Sequence, residues 1–353
     1  MADRPMNERV PRLRYWTWGK DLDGTALGPD AESFLRFLAG PSLIAVSGRD
    51  HSRMRAVSTL LHGNEPSGIR ALHRWLASGS VPAVDTLLFV GVVETALAGE
   101  GFAKRFLPGR PDLNRVWCAP FEGEEGDLAR EVLAVLEERP PECLVDLHNN
   151  TGQNPAYGVT FRIGVAERNL VGHYAHRIIH TPIELGTIVE ATCERFPSVT
   201  IECGRSGDPV ADDLAFVGTR RLLERDALAL DATPPLLDVV VDPVRVRVRP
   251  GIPLVFGDGP DDGDGLVMSR EVDRHNFELV PPGTCIGWVP PALDWPIEAI
   301  GAGGVDRAFE LFAIEGNRVE TRREMIPVMM TTHRENALAD CLFYAAWPER
   351  QLA

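Results

Sequence analysis

Short apolar runs alternate with amphipathic stretches between residues 40 and 235. The runs are rich in β-branched residues and apolar on both faces, which is typical of strands in a sheet that helices cover on both sides. The predicted strands are 43–46, 56–61, 86–93, 143–147, 158–163 and 199–201, and the predicted helices are 66–76, 127–138, 168–179 and 212–228. This alternation predicts the α/β class, with a mixed, mostly parallel sheet flanked by helices.

The pattern changes after the segment TPP at residues 233–235. Residues 239–248 alternate in β fashion, with valines on one face and arginines on the other, and Gly- and Pro-rich turns follow. We interpret the arginine face as an ordinary solvated strand face. We therefore predict an α/β domain over residues 1–235 and a smaller, β-rich C-terminal domain over residues 236–353.

Composition narrows the class of protein. Of the 353 residues, 44% are hydrophobic, which is enough for a full core, and the six cysteines form no C-x-x-C pair. There are 51 Asp and Glu against 36 Lys and Arg, and the net charge of −15 argues against nucleic acid as a partner. No run approaches the roughly 20 apolar residues of a membrane span, and residues 1–5 do not begin an apolar signal core. The sequence therefore predicts a cytoplasmic protein that binds neither nucleic acid nor membrane.

The segment HGNEP at residues 62–66 contains the most informative side chains. His62 and Glu65 stand three apart at the end of an apolar run, and Pro66 fits the first position of a following helix. Such a strand, turn and helix can aim an imidazole nitrogen and a carboxylate oxygen at one point, as two zinc ligands require. His148 is the predicted third ligand, because it follows the fourth predicted strand and open α/β sheets bind ligands at the carboxyl ends of their strands. These residues predict a catalytic zinc site with one position left for water.

Glu202 closes the short apolar run 198–201. Burying a charge is costly unless the charge is used or paired. We therefore interpret Glu202 as the general base, which takes a proton from the metal-bound water and passes it to the leaving amine. The alternative is a buried ion pair, with Arg205 as the partner.

The tetrapeptide DLNR at residues 112–115 supplies further polar groups. Arg115, by a bidentate fork, and Asn114, by its amide N–H, can together hold a substrate carboxylate. Asp112 can accept the free N–H of a zinc-bound imidazole and fix its tautomer. The alternative is a capped turn in which the Asp and Asn side chains bond to their own backbone.

Four motifs follow one another between roughly residues 55 and 235: HGNEPSG, DLNR, VDLHNNTG and TIECG. In this order they resemble the succinylglutamate desuccinylase/aspartoacylase family, whose catalytic domain is similar to zinc carboxypeptidases. The resemblance implies a zinc carboxypeptidase-like catalytic domain over residues 1–235 and one Zn²⁺ per chain as cofactor. It also implies the site roles: His62, Glu65 and His148 as zinc ligands, Glu202 as general base, Asn114 and Arg115 as substrate-binding residues, and Asp112 as support for a ligand histidine.

The family also uses an arginine upstream of DLNR to polarise the scissile carbonyl. Arg105, between Lys104 and Phe106, matches the sequence context of that arginine. The segment PGRP at residues 108–111 lengthens the link to DLNR, which makes Arg110 the alternative. The resemblance therefore implies Arg105 for this role and leaves Arg110 open.

Taken together, the motifs predict a zinc-dependent amidohydrolase. Its substrate would be a small molecule, an N-acyl amino acid or a related small N-acyl amine, from which it removes the acyl group. Two alternatives stay open: a metallocarboxypeptidase acting on peptides, which would share every metal ligand, and a non-catalytic zinc- or ligand-binding relative. The sequence does not identify the acyl group or the amine, and it is compatible with a homo-oligomer.

Overall fold

The computed structural model describes residues 13–230, 232–261, 263–291, 293 and 295–349, so the N-terminal residues 1–5 considered above lie outside it. The chain divides into two units. The first contains the described residues through His148 together with those of Glu184–Thr200 and Asp212–Ala232. The second contains Asn149–Ile183, Ile201–Ala211 and the described residues from Thr233 onward. The domains expected at 1–235 and 236–353 stay a prediction.

The described residues form strands, α-helices and two short 3₁₀ turns, Leu113–Arg115 and Val272–His275. The strands are β1 (Arg14–Thr17), β2 (Ser42–Val46), β3 (Asp50–Thr59), β4 (Val84–Val90), β5 (Leu144–Asn150), β6 (Tyr157–Thr160), β7 (Arg177–His180), β8 (Ser198–Arg205), β9 (Asp238–Val248), β10 (Leu254–Gly257), β11 (Leu266–Ser269), β12 (Cys285–Trp288), β13 (Ile297–Ile300), β14 (Phe312–Glu315), β15 (Arg318–Thr321), β16 (Ile326–Val328) and β17 (Phe343–Pro348). The helices are α1 (Gly24–Leu27), α2 (Ala31–Leu38), α3 (Ser67–Ala77), α4 (Val93–Leu97), α5 (Gly123–Glu138), α6 (Val165–Gly172), α7 (Ile188–Thr192), α8 (Pro209–Glu224), α9 (Ala308–Leu311) and α10 (Arg334–Ala339).

Strands of the first unit lie in the order β1-β2-β4-β3-β5. β2 and β4 are antiparallel, and the other neighbouring pairs are parallel. Val57 of β3 and Leu88 of β4 are fully buried, as expected for central strands covered on both faces. The register pairs Thr59, the last residue of β3, with Leu147 of β5, so the carboxyl end of β3 lies beside the residue that precedes His148.

Helix α3 packs directly on this sheet. Its buried residues Ile69, Leu72 and Leu76 recur at the i, i+3 and i+7 spacing of one helical face. Each of these side chains contributes roughly 1.5–3 kcal/mol of burial free energy. A Cβ at Gly68 would lie 2.0 Å from Thr59 Oγ1, so only glycine lets the helix backbone come this close to β3. Because α3 follows the predicted ligand turn, this contact also fixes the end of that turn.

The predicted elements are largely confirmed. The six predicted strands correspond to β2, β3, β4, β5, β6 and β8, and three predicted helices correspond to α3, α5 and α8. The helix predicted over 168–179 is wrong in its second half, because α6 ends at Gly172 and β7 follows, paired in parallel with β6 and β9. The adjacent β-branched residues Ile178 and Ile179 of β7 are both buried, which suits a strand covered on both faces.

The second unit is rich in β-structure. Strands β6, β7, β9, β17 and β16 are neighbours in that order, with β13 also paired to β9. A separate five-stranded sheet has the order β10-β11-β12-β15-β14. Val244 and Val246 of β9 are buried, whereas Arg245 on the other face forms an ion pair with Asp340. The predicted alternation of this strand is confirmed.

The predicted fold class is confirmed as well. The chain is mixed α/β, with a large, mostly parallel sheet flanked by helices and a smaller β-rich sheet. Within the described ranges, no helix has both the length and the apolar character needed to cross a membrane.

Candidate metal centre

The turn between β3 and α3 places His62 and Glu65. Leu60 adopts a left-handed backbone conformation, with φ of 58°, and so bends the chain away from the strand. Gly63 then packs against a second segment: its N–H donates to the carbonyl of Arg105 at 2.9 Å, and a Cβ there would lie 2.6 Å from the carbonyl oxygen of Lys104. Glycine is therefore required for the turn to lie this close to its neighbour.

The structure brings His62, Glu65 and His148 together. His62 Nδ1 lies 2.8 Å from Glu65 Oε1, and His148 Nδ1 lies 2.6 Å from Glu65 Oε2. One candidate ligand atom from each residue lies within 4.8 Å of the other two. The three residues are 4%, 4% and 2% exposed, respectively. They therefore form one buried cluster at the edge where β3 and β5 end.

This donor set fits a zinc ion. Two imidazole nitrogens and one carboxylate oxygen are typical of catalytic zinc sites, which keep a further position for water or substrate. Both histidines direct Nδ1 toward Glu65, so the nitrogens that would bind metal converge on the third ligand. The other nitrogen of each ring remains for orientation by a second carboxylate.

Each remaining ring nitrogen faces an aspartate. Asp112 Oδ1 lies 2.9 Å from His62 Nε2, the arrangement that the sequence suggested for Asp112. Asp146 Oδ2 lies 2.7 Å from His148 Nε2. Sequence reasoning had missed Asp146, although a signal was present: residues two apart on a strand lie on the same face, so the aspartate in VDLH shares a face with the histidine.

The pKa values of the cluster follow from these contacts. Burial raises the pKa of Glu65, but the imidazoles of His62 and His148 outweigh that effect and lower the pKa well below 4.5. Burial lowers the pKa of His148, but Asp146 and Glu65 outweigh that effect and raise the pKa well above 6.5. A metal ion that binds at Nδ1 of His148 therefore competes with a proton.

The two candidate arginines lie in different surroundings. Arg105 places Nη1 3.2 Å from Glu65 Oε1 and Nη2 2.9 Å from His62 Nε2. Arg110 instead lies 3.6 Å from the carboxylate of Glu94 and 3.7 Å from that of Glu125. The structure thus places Arg105 among the groups of the centre, while the carbonyl-polarising role stays a prediction for it.

The turn of residues 112–115 combines both interpretations given above. Asp112 Oδ1 accepts the backbone N–H of Asn114 at 2.8 Å, as in a capped turn, while the same carboxylate faces His62. Asn114 Oδ1 accepts the N–H of Ile188 at 3.3 Å, and its Nδ2 lies 3.5 Å from His148 Nε2. Arg115 is half-buried, and its Nη1 donates to the Asn114 carbonyl at 2.9 Å. Substrate binding by Asn114 and Arg115 stays a prediction.

Glu202 lies on β8, in the part of that strand that belongs to the second unit. Its side chain is buried, with the residue 7% exposed. Arg205, the partner in the alternative interpretation, is exposed at the end of the same strand, and positions three apart on a strand lie on opposite faces. The general-base role of Glu202 stays a prediction.

Comparisons with known proteins bear on the fold. No family model and no curated protein matches the chain. Among solved structures, murine aminoacylase 3 is similar with a TM-score of 0.54 at 17% identity, over 85% of this chain and 97% of that one. Succinylglutamate desuccinylase from Vibrio parahaemolyticus is similar with a TM-score of 0.54 at 15% identity, over 84% of this chain and 82% of that one. A succinylglutamate desuccinylase/aspartoacylase from Rhodobacter sphaeroides is similar with a TM-score of 0.53 at 13% identity, over 88% of each chain. The chain therefore has the fold of these structures, which confirms, for the fold, the resemblance found in its four motifs.

Proposed function

We propose that the protein is a zinc-dependent hydrolase that cleaves the amide bond of an N-acyl amino acid or a related small N-acyl amine. The observation that carries the proposal is the buried cluster of His62, Glu65 and His148, with both Nδ1 atoms directed at one carboxylate. The names of the solved structures with this fold, an aminoacylase and succinylglutamate desuccinylases, support a deacylation reaction.

In this proposal His62, Glu65 and His148 hold one Zn²⁺ per chain. The bound ion supplies Lewis acidity toward the amide carbonyl and toward the attacking water. Asp112 accepts a hydrogen bond from Nε2–H of His62 and so fixes the orientation of that ring. Arg105 donates to the developing oxyanion of the substrate, which preorganised donors stabilise strongly in a buried site.

The remaining side chains move protons and orient the substrate. Glu202 takes a proton from the attacking water at its carboxylate and delivers that proton to the leaving nitrogen. Arg115 holds the substrate carboxylate, and Asn114 adds its Nδ2–H, since its Oδ1 already accepts from Ile188. The partner of the protein is thus a small anionic molecule. We also propose, from the sequence alone, that the protein acts in the cytoplasm.

A substrate panel tests the function. Purified protein loaded with zinc is expected to hydrolyse at least one member of a set of N-acetyl, N-succinyl and longer N-acyl amino acids, and to lose that activity with a chelator. Amine release is the measurement, with metal content determined on the same sample. Hydrolysis of peptides alone would favour the carboxypeptidase. Stoichiometric zinc with no hydrolysis of any member would favour the non-catalytic relative.

Paired arginine variants separate Arg105 from Arg110. We expect Arg105→Ala to lower kcat/KM by about 10²- to 10³-fold, the typical loss for one oxyanion donor. Arg110→Ala is expected to change kcat/KM far less, because Arg110 pairs with Glu94 and Glu125 and not with the centre. The measurement is kcat/KM of both variants by steady-state kinetics, with the zinc content of each determined on the same sample. A larger loss in Arg110→Ala than in Arg105→Ala would reverse the assignment.

A further inference from the structure

Asp146 is a buried carboxylate that none of the roles above requires. It precedes His148 by two positions on β5, so both side chains lie on the same face of the strand. Asp146 is 0% exposed, and its Oδ2 lies 2.7 Å from His148 Nε2. A charge buried this deeply is costly unless a specific interaction compensates for it. The position of Asp146 therefore indicates that its carboxylate acts on the imidazole of His148.

The other contacts of this carboxylate support the same conclusion. Oδ1 of Asp146 makes no hydrogen bond within the described part of the chain. By contrast Asp112, which faces the other histidine, also accepts from the backbone of Asn114 and lies 3.5 Å from Arg105. The polar contact of Asp146 is thus directed to one ring nitrogen.

Neutral histidine exists as two tautomers, and only one of them suits a metal at Nδ1. A carboxylate at Nε2 favours the tautomer that keeps its proton on Nε2, and so leaves the Nδ1 lone pair for the metal. Asn114 Nδ2 is the competing group, because an amide N–H pointed at Nε2 would favour the opposite tautomer. Its distance of 3.5 Å is longer than the 2.7 Å of Asp146, so the aspartate dominates.

We propose that Asp146 is a positioning residue of the metal centre, which accepts the Nε2–H of His148 and thereby sets the orientation and tautomer of that zinc ligand. This inference rests on the proposed zinc-dependent function and deepens it. Removal of such a partner typically costs 10- to 100-fold in metal affinity, so Asp146→Ala is expected to weaken zinc binding by about that factor. Asp146→Asn keeps an oxygen acceptor without the charge, and its zinc affinity should fall between wild type and Asp146→Ala.

Ser58 provides the matched control. It lies opposite Asp146 in the register of β3 and β5, is equally buried, and its hydroxyl makes no hydrogen bond within the described residues. Zinc dissociation constants from competition with a chromophoric chelator are measured for wild type, Asp146→Ala, Asp146→Asn and Ser58→Ala, together with the unfolding temperature of each metal-free protein. Ser58→Ala is expected to bind zinc like wild type.

A second readout isolates the hydrogen bond itself. In zinc-loaded, ¹⁵N-labelled protein the Nε2–H of His148 should give an exchange-protected imidazole resonance in wild type, Ser58→Ala and Asp146→Asn, and lose it in Asp146→Ala. A purely structural role would lower the unfolding temperature and leave this resonance in place.

Three outcomes are distinguished. Zinc binding by Asp146→Ala that equals that of Ser58→Ala would overturn the inference and leave the proposed function intact. If Asp146→Ala does not fold, a zinc affinity of Asp146→Asn equal to that of wild type overturns it instead. A wild-type protein that binds no zinc would overturn the proposed function itself.

Discussion

Replacement of Glu202 by glutamine is expected to lower kcat by about 10²- to 10⁴-fold, the usual contribution of a general acid–base group. Glutamine has nearly the same shape and can still form hydrogen bonds, but it cannot accept a proton from water. Zinc content should remain at one ion per chain, because Glu202 is not among the proposed ligands. The measurements are kcat, KM and metal content for wild type and variant under the same conditions.

Glu167 gives the matched control for this substitution. It is a second buried glutamate of the same unit, and its carboxylate accepts the N–H of Gly164 at the start of α6. Glu167→Gln is expected to retain kcat, since its contact supports a helix end. Unchanged turnover in Glu202→Gln would remove Glu202 from the base role. Loss of zinc in that variant would show instead that Glu202 acts as a ligand.

Replacement of His148 by alanine should have an effect of comparable size for a different reason. It removes one of the three proposed metal ligands, and a bound Lewis acid supplies several kcal/mol of transition-state stabilisation. At about 1.4 kcal/mol per tenfold in rate, hydrolysis should fall by about 10³-fold or more. Zinc bound per chain after gel filtration and kcat/KM at saturating zinc are the two measurements.

His73 offers the corresponding control. It lies on α3 in the same unit, near the ring of Phe34 and outside the cluster. His73→Ala is expected to keep both zinc and hydrolysis, with at most a change in stability. If His148→Ala retained stoichiometric zinc and turnover, the metal centre as described would have to be abandoned.

Several parts of the fold and the centre could be predicted from the sequence, because they depend on local spacing. The carboxyl ends of parallel strands lie at a common edge of the sheet, so the sequence predicts that His62, on the turn after β3, and His148, near the end of β5, lie close together. The strand at 177–180 could not be separated from the preceding helix, since a short apolar run fits either element.

Other features depend on contacts that spacing does not reveal. Arg105 and Arg110 lie in one irregular segment, and their contacts distinguish them: Arg105 reaches Glu65 and His62. Arg110 instead pairs with Glu94 and Glu125. The substrate cannot be predicted from the sequence for a similar reason, because substrate binding depends on loops that no periodic pattern describes.

The close packing at Gly63 constrains how this region can change during evolution. Its N–H donates to the Arg105 carbonyl, and a Cβ at this position would clash with the Lys104 carbonyl oxygen. Sequence changes in the turn and in the segment up to Arg105 are therefore expected to be coupled. Insertions within either segment of this contact are expected to move the Arg105 guanidinium away from the proposed metal ligands. The segment 108–111 lies downstream of this contact, so insertions there are expected to leave the position of Arg105 relative to His62 and Glu65 unchanged.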